Sequence, residues 1–152
     1  MTKQETDRHL VWAARGTMLG AVLHVAMPFG GPAWYTFWRA PNVIVRMAGD
    51  GHPYPVFMCA VIATLLLVCT LYAVSGAGII GRLPLLRAGL TAIAAVFLVR
   101  GLSFIPLVAL RPDALADICN CTKVDTFIVV SSAVCLAIGA GYAAGAARLW
   151  RQ

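Results

Sequence analysis

Arg100 is the residue whose type and surroundings point most directly to chemistry. It lies in an apolar stretch from Leu85 to Leu110, in which Arg87 is the only other charged residue. An arginine at the centre of a membrane costs about 2.5–3.5 kcal/mol on insertion scales unless water, a partner or a lipid headgroup receives it. The sequence therefore predicts a polar site at Arg100 inside a membrane-embedded helical bundle.

Four other polar residues fall at a similar depth when a rise of about 1.5 Å per helical residue is counted. They are His24, Ser103, Ser131 and Ser132. Ser103 shares a helix face with Arg100 because three residues separate them. None of the four apolar stretches contains an Asp or a Glu, so Arg100 has no fixed anionic partner in them. We therefore predict an outward-opening pocket that binds or conducts an anionic or lipid-like small molecule.

Two other interpretations of Arg100 stay open at this point. The side chain would reach the membrane surface along its apolar stem, or it would pair with an aspartate in a loop. The candidate aspartates are Asp50, Asp117 and Asp125. A pairing across subunits would make the protein an accessory subunit of a larger membrane complex or a homo-oligomer. His24, for its part, also fits a structural hydrogen-bonding role.

The sequence Cys119-Asn120-Cys121 is a candidate redox pair. Two thiols this close can form a strained disulfide or bind a soft metal, which makes a membrane thiol oxidoreductase an alternative function. No ligand-spacing signature accompanies them, so we favour structural or incidental cysteines. We predict no catalytic residue, no metal and no other cofactor, and we favour a protein that is not an enzyme.

The elements that must position these residues are four apolar stretches, at about 10–29, 56–74, 85–110 and 127–149. The chain of 152 residues is 61% hydrophobic and 12% charged, against about 25% charged for a soluble domain. Each stretch is close to the ~20 residues that a helix needs to cross a bilayer. We therefore predict an all-α membrane protein, a four-transmembrane-helix bundle that forms a single domain over residues 1–152.

The longest loop of this bundle, Gly30–Pro55, has an unusual composition. Gly30-Gly31-Pro32 is expected to end the first helix. Trp34, Tyr35, Phe37 and Trp38 follow, and Trp and Tyr concentrate where a bilayer meets water. Pro41 is placed to begin a second short helix. We predict a short interfacial helical segment in this first outer loop.

Small residues suggest how the helices pack. Gly16 and Gly20 are four residues apart in the first stretch, and Gly141 and Gly145 have the same spacing in the fourth. Such spacing lets helix backbones approach closely in lipid. We expect these faces to bring the first and fourth stretches together, or to bring each against a second copy of the chain.

Basic residues divide unevenly between the two sides of such a bundle. The N-terminus, second loop and C-terminus carry Lys3, Arg8, Arg15, Arg82, Arg87, Arg148 and Arg151. The first and third loops carry Arg39, Arg46, Arg111 and Lys123. The positive-inside rule then predicts a bacterial-type inner (plasma) membrane protein with both termini cytoplasmic.

Two further classes are disfavoured by the same residues. The basic residues never cluster into a patch, so the net charge of +6 does not predict a nucleic-acid partner. Lys3 and Arg8 are similar to the charged start of a signal peptide. Because His24, Met27 and Pro28 stand where a small-residue cleavage site is required, we expect the first stretch to remain as a span.

Overall fold

The computed structural model describes residues 7–103, 105–106 and 126–151, and within these ranges the secondary structure is helical, with no strand. Helix α1 covers Arg8–Ala26 and continues through a 3-10 turn at Met27–Gly30 into α2, Gly31–Phe37. The remaining helices are α3 (Asn42–Gly49), α4 (Tyr54–Gly76), α5 (Leu86–Leu102) and α6 (Thr126–Trp150).

Three helical segments are long and apolar enough to cross a membrane. They are the run Arg8–Phe37, α4 and α6. This confirms an all-helical architecture with helices of spanning length and composition at three of the four predicted stretches. Helix α5 has 17 residues and is about 25 Å long, shorter than the ~30 Å hydrocarbon core. Residues 107–110 of that stretch lie outside the described part, so the fourth span stays a prediction.

Both ends of the described chain lie at the same end of the bundle. The carboxylate of Asp7 caps α1 by accepting from the backbone N–H of His9 at 3.0 Å, and it lies 3.8 Å from the Arg148 guanidinium near the end of α6. Leu10, Leu90 and Leu149 surround Gly76 there, in the largest buried apolar cluster. We call this the terminal end of the bundle.

The glycine spacing brings α1 and α6 together within one chain. A Cβ added to Gly141 would lie 3.1 Å from the Cβ of Ala13, and one added to Gly16 would lie 2.9 Å from Ile138. Gly145 likewise leaves room for Leu10. The predicted contact is therefore confirmed for these three glycines. Gly20 is the exception, because it faces Leu66 of α4 rather than α6.

The loop after α1 is a compact helical segment, as the sequence predicted. Its 3-10 turn is followed by Gly31 at φ 63°, a left-handed conformation that suits glycine. Met27 of the turn and Tyr35 of α2 pack on Cys59 of α4, so the segment is fixed to the bundle at the end opposite the termini. Pro41 precedes α3 rather than opening it.

Candidate functional site

The contact between α5 and α6 places the predicted site residues. These two helices share the most extensive contact in the bundle. Near its centre, the side chain of Leu98 in α5 packs closely against Gly139 of α6. Further toward the end opposite the termini, a Cβ on Gly101 would lie 3.0 Å from the carbonyl oxygen of Ser132. Gly101, which lies between Arg100 and Ser103 along α5, therefore packs on the backbone of Ser132 in α6.

Ser132 is the polar residue at the centre of this contact. It is 1% exposed, and its hydroxyl has no hydrogen-bond partner within the described ranges. A buried hydroxyl without a partner costs about 1–3 kcal/mol. A group outside the described residues, or a bound molecule, would remove that cost.

Arg100 lies on the outer surface of α5. Its side chain is exposed, whereas the adjacent Gly101 is buried against α6. Successive residues point about 100° apart around a helix, so the packing of Gly101 directs Arg100 away from the α5–α6 contact. The sequence placed Arg100 at the right end of the bundle but did not reveal this outward direction.

The other three predicted residues bond to their own helices. The Ser103 hydroxyl donates to the Arg100 carbonyl at 2.9 Å, and the Ser131 hydroxyl donates to the Ile128 carbonyl at 3.1 Å. Nδ1 of His24 lies 2.8 Å from the Gly20 carbonyl, which is the structural role considered for it. No hydrogen bond among the described residues joins His24 to the other four.

The aromatic residues of the helical segment after α1 extend to the start of α6. Trp38, just beyond α2, contacts Phe127 in the first turn of α6, with ring centroids 6.4 Å apart. Phe127 precedes Ser131 by one helical turn. The helical segment after α1 therefore crosses to the same end of α6 that carries Ser131 and Ser132.

A second polar group, which the sequence did not predict, lies deep in the bundle. The hydroxyls of Thr17 and Thr70 are 2.8 Å apart, and Tyr142 donates to the Cys69 carbonyl at 2.8 Å while lying 3.3 Å from Thr17. These bonds join α1, α4 and α6. A tyrosine far from either end of its apolar stretch was the available signal, because a buried Tyr hydroxyl usually finds a partner.

The candidate redox pair Cys119 and Cys121 lies outside the described residues, as do Asp117 and Asp125. Cys59, Cys69 and Cys135 are free thiols. Within the part of the chain that is described, no three His, Cys, Asp or Glu side chains are arranged to hold a metal ion. The redox hypothesis stays a prediction.

Comparison of the chain with protein-family models, with curated proteins and with solved structures finds no match.

Proposed function

We propose that this is a non-enzymatic, four-span inner-membrane protein that binds the anionic group of a lipid-like small molecule at Arg100. The exposed guanidinium on an apolar helix, one residue before the glycine that packs on the buried Ser132, is the observation that carries this proposal. Ser103, Ser131, Ser132 and His24 are the remaining candidate contributors.

The proposal follows from the free-energy cost of placing the Arg100 charge against lipid. A guanidinium on the outer face of an apolar helix faces lipid rather than the bundle interior, so its partner comes from outside the described helices. The planar fork of an arginine matches a phosphate or carboxylate with two parallel hydrogen bonds. A molecule with such a group and an apolar body would meet Arg100 and the exposed apolar side chains Val96 and Val99 together.

The fourth span is part of the proposal. It would consist of α5 extended through the apolar residues up to Leu110, which gives 26 positions between Leu85 and Leu110, enough for a bilayer. Four spans would place both termini on one side, and the basic residues would make that side cytoplasmic. The shared location of the α1 start and the α6 end supports an even number of crossings.

The second candidate function is an accessory subunit of a larger membrane complex. The outward direction of Arg100 favours it, because the side chain is available to a carboxylate of another protein or of a second copy of this chain. In this case the group that receives Arg100 would be a protein side chain instead of a lipid-like molecule.

Titration of the delipidated protein with a short-chain anionic phospholipid tests the proposal by calorimetry. We expect a binding component that Arg100→Leu removes and Arg100→Lys weakens, because lysine keeps the charge but loses the fork. Arg46→Leu, which removes an exposed arginine from α3, is the matched control and should leave binding unchanged. A binding isotherm that Arg100→Leu leaves unchanged would refute the ligand function, and an equal loss of binding in Arg46→Leu would indicate nonspecific electrostatic attraction.

A further inference from the structure

At the terminal end of the bundle, far from Arg100, a groove lies between the start of α5 and the end of α6. It has a volume of about 370 Å³ and is lined mainly by apolar side chains, with Arg82 and Arg87 beside Leu85, Leu86, Leu149 and Trp150. Nothing in the Arg100 proposal uses these residues. We propose that this groove binds an anionic glycerophospholipid, with its phosphate at Arg82 and Arg87 and an acyl chain along the leucines.

The basic end of the groove is held in place by the bundle. Ser75, buried near the end of α4, donates to the Gly81 carbonyl at 2.9 Å and accepts from the backbone N–H of Leu83 at 3.0 Å. These bonds fix the backbone on both sides of Arg82. Tyr72 additionally donates to the Pro84 carbonyl at 3.3 Å. The connection between α4 and α5 is therefore pre-organised, which lowers the entropy that a ligand must remove on binding.

The aromatic wall of the groove is also fixed. The indole N–H of Trp150 donates to the Thr91 hydroxyl at 3.3 Å, and the Arg87 guanidinium lies 5.6 Å from the centre of the Trp150 ring. Tryptophan is enriched at the level of lipid headgroups, where its apolar ring and polar N–H meet both environments. A Trp150 ring at that level would hold Arg87 close to the lipid phosphates.

The apolar side of the groove is exposed in a way that a lipid would cover. Leu85 is 81% exposed and has φ 53°, a left-handed conformation that is strained for a leucine. An acyl chain along Leu85 and Leu86 would remove this apolar surface from water. Basic pockets between membrane helices recognise anionic headgroups by this same combination of charge and apolar wall.

The described acidic residues do not compete for the groove. Asp7, just before α1, is buried and pairs with Arg148. Asp50 follows α3, which packs at the opposite end of the bundle. Within the described ranges, Arg82 and Arg87 thus present a positive surface to an incoming phosphate.

Quenching of Trp150 fluorescence by brominated lipids tests this inference. In a variant with Trp12, Trp34 and Trp38 replaced by Phe, Trp150 is the only fluorescent indole. Vesicles of phosphatidylcholine and phosphatidylglycerol are prepared with the bromines on one lipid or the other. We expect stronger quenching when phosphatidylglycerol carries them, with an apparent preference of roughly 30-fold from two arginines near the headgroups.

Combining Arg82→Gln with Arg87→Gln should remove the preference, whereas Arg82→Lys with Arg87→Lys should retain most of it. Arg15→Gln is the control, because Arg15 is an exposed arginine on α1 that does not line the groove. Equal quenching by both lipids in the parent protein would overturn the inference. A preference for phosphatidylglycerol that survives the double Gln change, or that is lost in Arg15→Gln, would also overturn it. Loss of this preference when inorganic phosphate is added at matched ionic strength would overturn it as well.

Discussion

Tyr142 is the residue at which the main helices meet. It is fully buried, its hydroxyl bonds to the Cys69 carbonyl, and its ring stacks on Phe97 of α5 with centroids 6.0 Å apart. Thr17 and Thr70 complete the group. Since lipid offers no polar alternative, hydrogen bonds between spans are among the interactions that fix which faces of the helices meet.

Removal of the Tyr142 hydroxyl should destabilise the bundle. Tyr142→Phe keeps the ring and its stacking but leaves the Cys69 carbonyl without this donor, so we expect a loss of about 1 kcal/mol in the free energy of unfolding. Thermal unfolding in detergent measures this. Tyr54→Phe, at an exposed position at the start of α4, is the control, and an equal effect there would contradict the role of the hydroxyl.

Two buried serines should respond oppositely to the same change. Ser75→Ala leaves the Leu83 N–H without its acceptor and should cost about 1–3 kcal/mol. Ser132→Ala removes a hydroxyl that has no partner in the described structure, so the stability of the delipidated protein should stay the same or rise. Denaturation of both variants in one detergent makes the comparison. A large loss in Ser132→Ala would mean that the hydroxyl is bonded within the protein.

For the helices, the apolar stretches predicted where α4 and α6 lie along the chain. They did not predict how each helix is rotated about its own axis. The predicted stretch 56–74 corresponds to α4, Tyr54–Gly76, and the predicted stretch 127–149 corresponds to α6, Thr126–Trp150. A nearly uniformly apolar helix gives no periodic signal for the side that faces its neighbours. The outward direction of Arg100 and the pairing of Thr17 with Thr70 depend on that rotation, so the sequence could not predict them.

The glycine spacing, by contrast, did indicate which faces of α1 and α6 pack together. Gly141→Leu should push α6 away from Ala13 and lower stability by about 1–3 kcal/mol without changing oligomer size. Gly49→Leu in α3 is the control, since a Cβ added there meets nothing within 4 Å. Unfolding midpoints and native mass spectrometry are the measurements. A change in oligomer size with unchanged stability would place Gly141 at a contact between subunits.

At the scale of the whole molecule, the two ends of the bundle differ in chemistry. The terminal end carries the Ser75-supported groove with Arg82, Arg87 and Trp150, and the opposite end carries the aromatic segment and Arg100. Anionic lipids would bind the first end from the cytoplasmic leaflet, and Arg100 would meet its ligand from the other side of the membrane.

This orientation predicts the accessibility of two exposed positions. In intact cells, a membrane-impermeant thiol reagent should label His52→Cys, between α3 and α4, but not Gly81→Cys, between α4 and α5. Replacing Cys119 and Cys121 with Ser removes the background from the third loop. Labelling of Gly81→Cys from outside, with His52→Cys protected, would reverse the orientation.

If Arg100 receives an anionic group from a bound lipid-like molecule, that molecule should stay with the purified protein. Native mass spectrometry of the protein released from nanodiscs counts the molecules that stay bound. We predict that the parent protein retains an anionic lipid-like molecule that Arg100→Leu loses, while the variant remains folded because the unpaired charge has gone with its ligand. A folded Arg100→Leu protein that keeps the full complement of bound molecules would contradict the account.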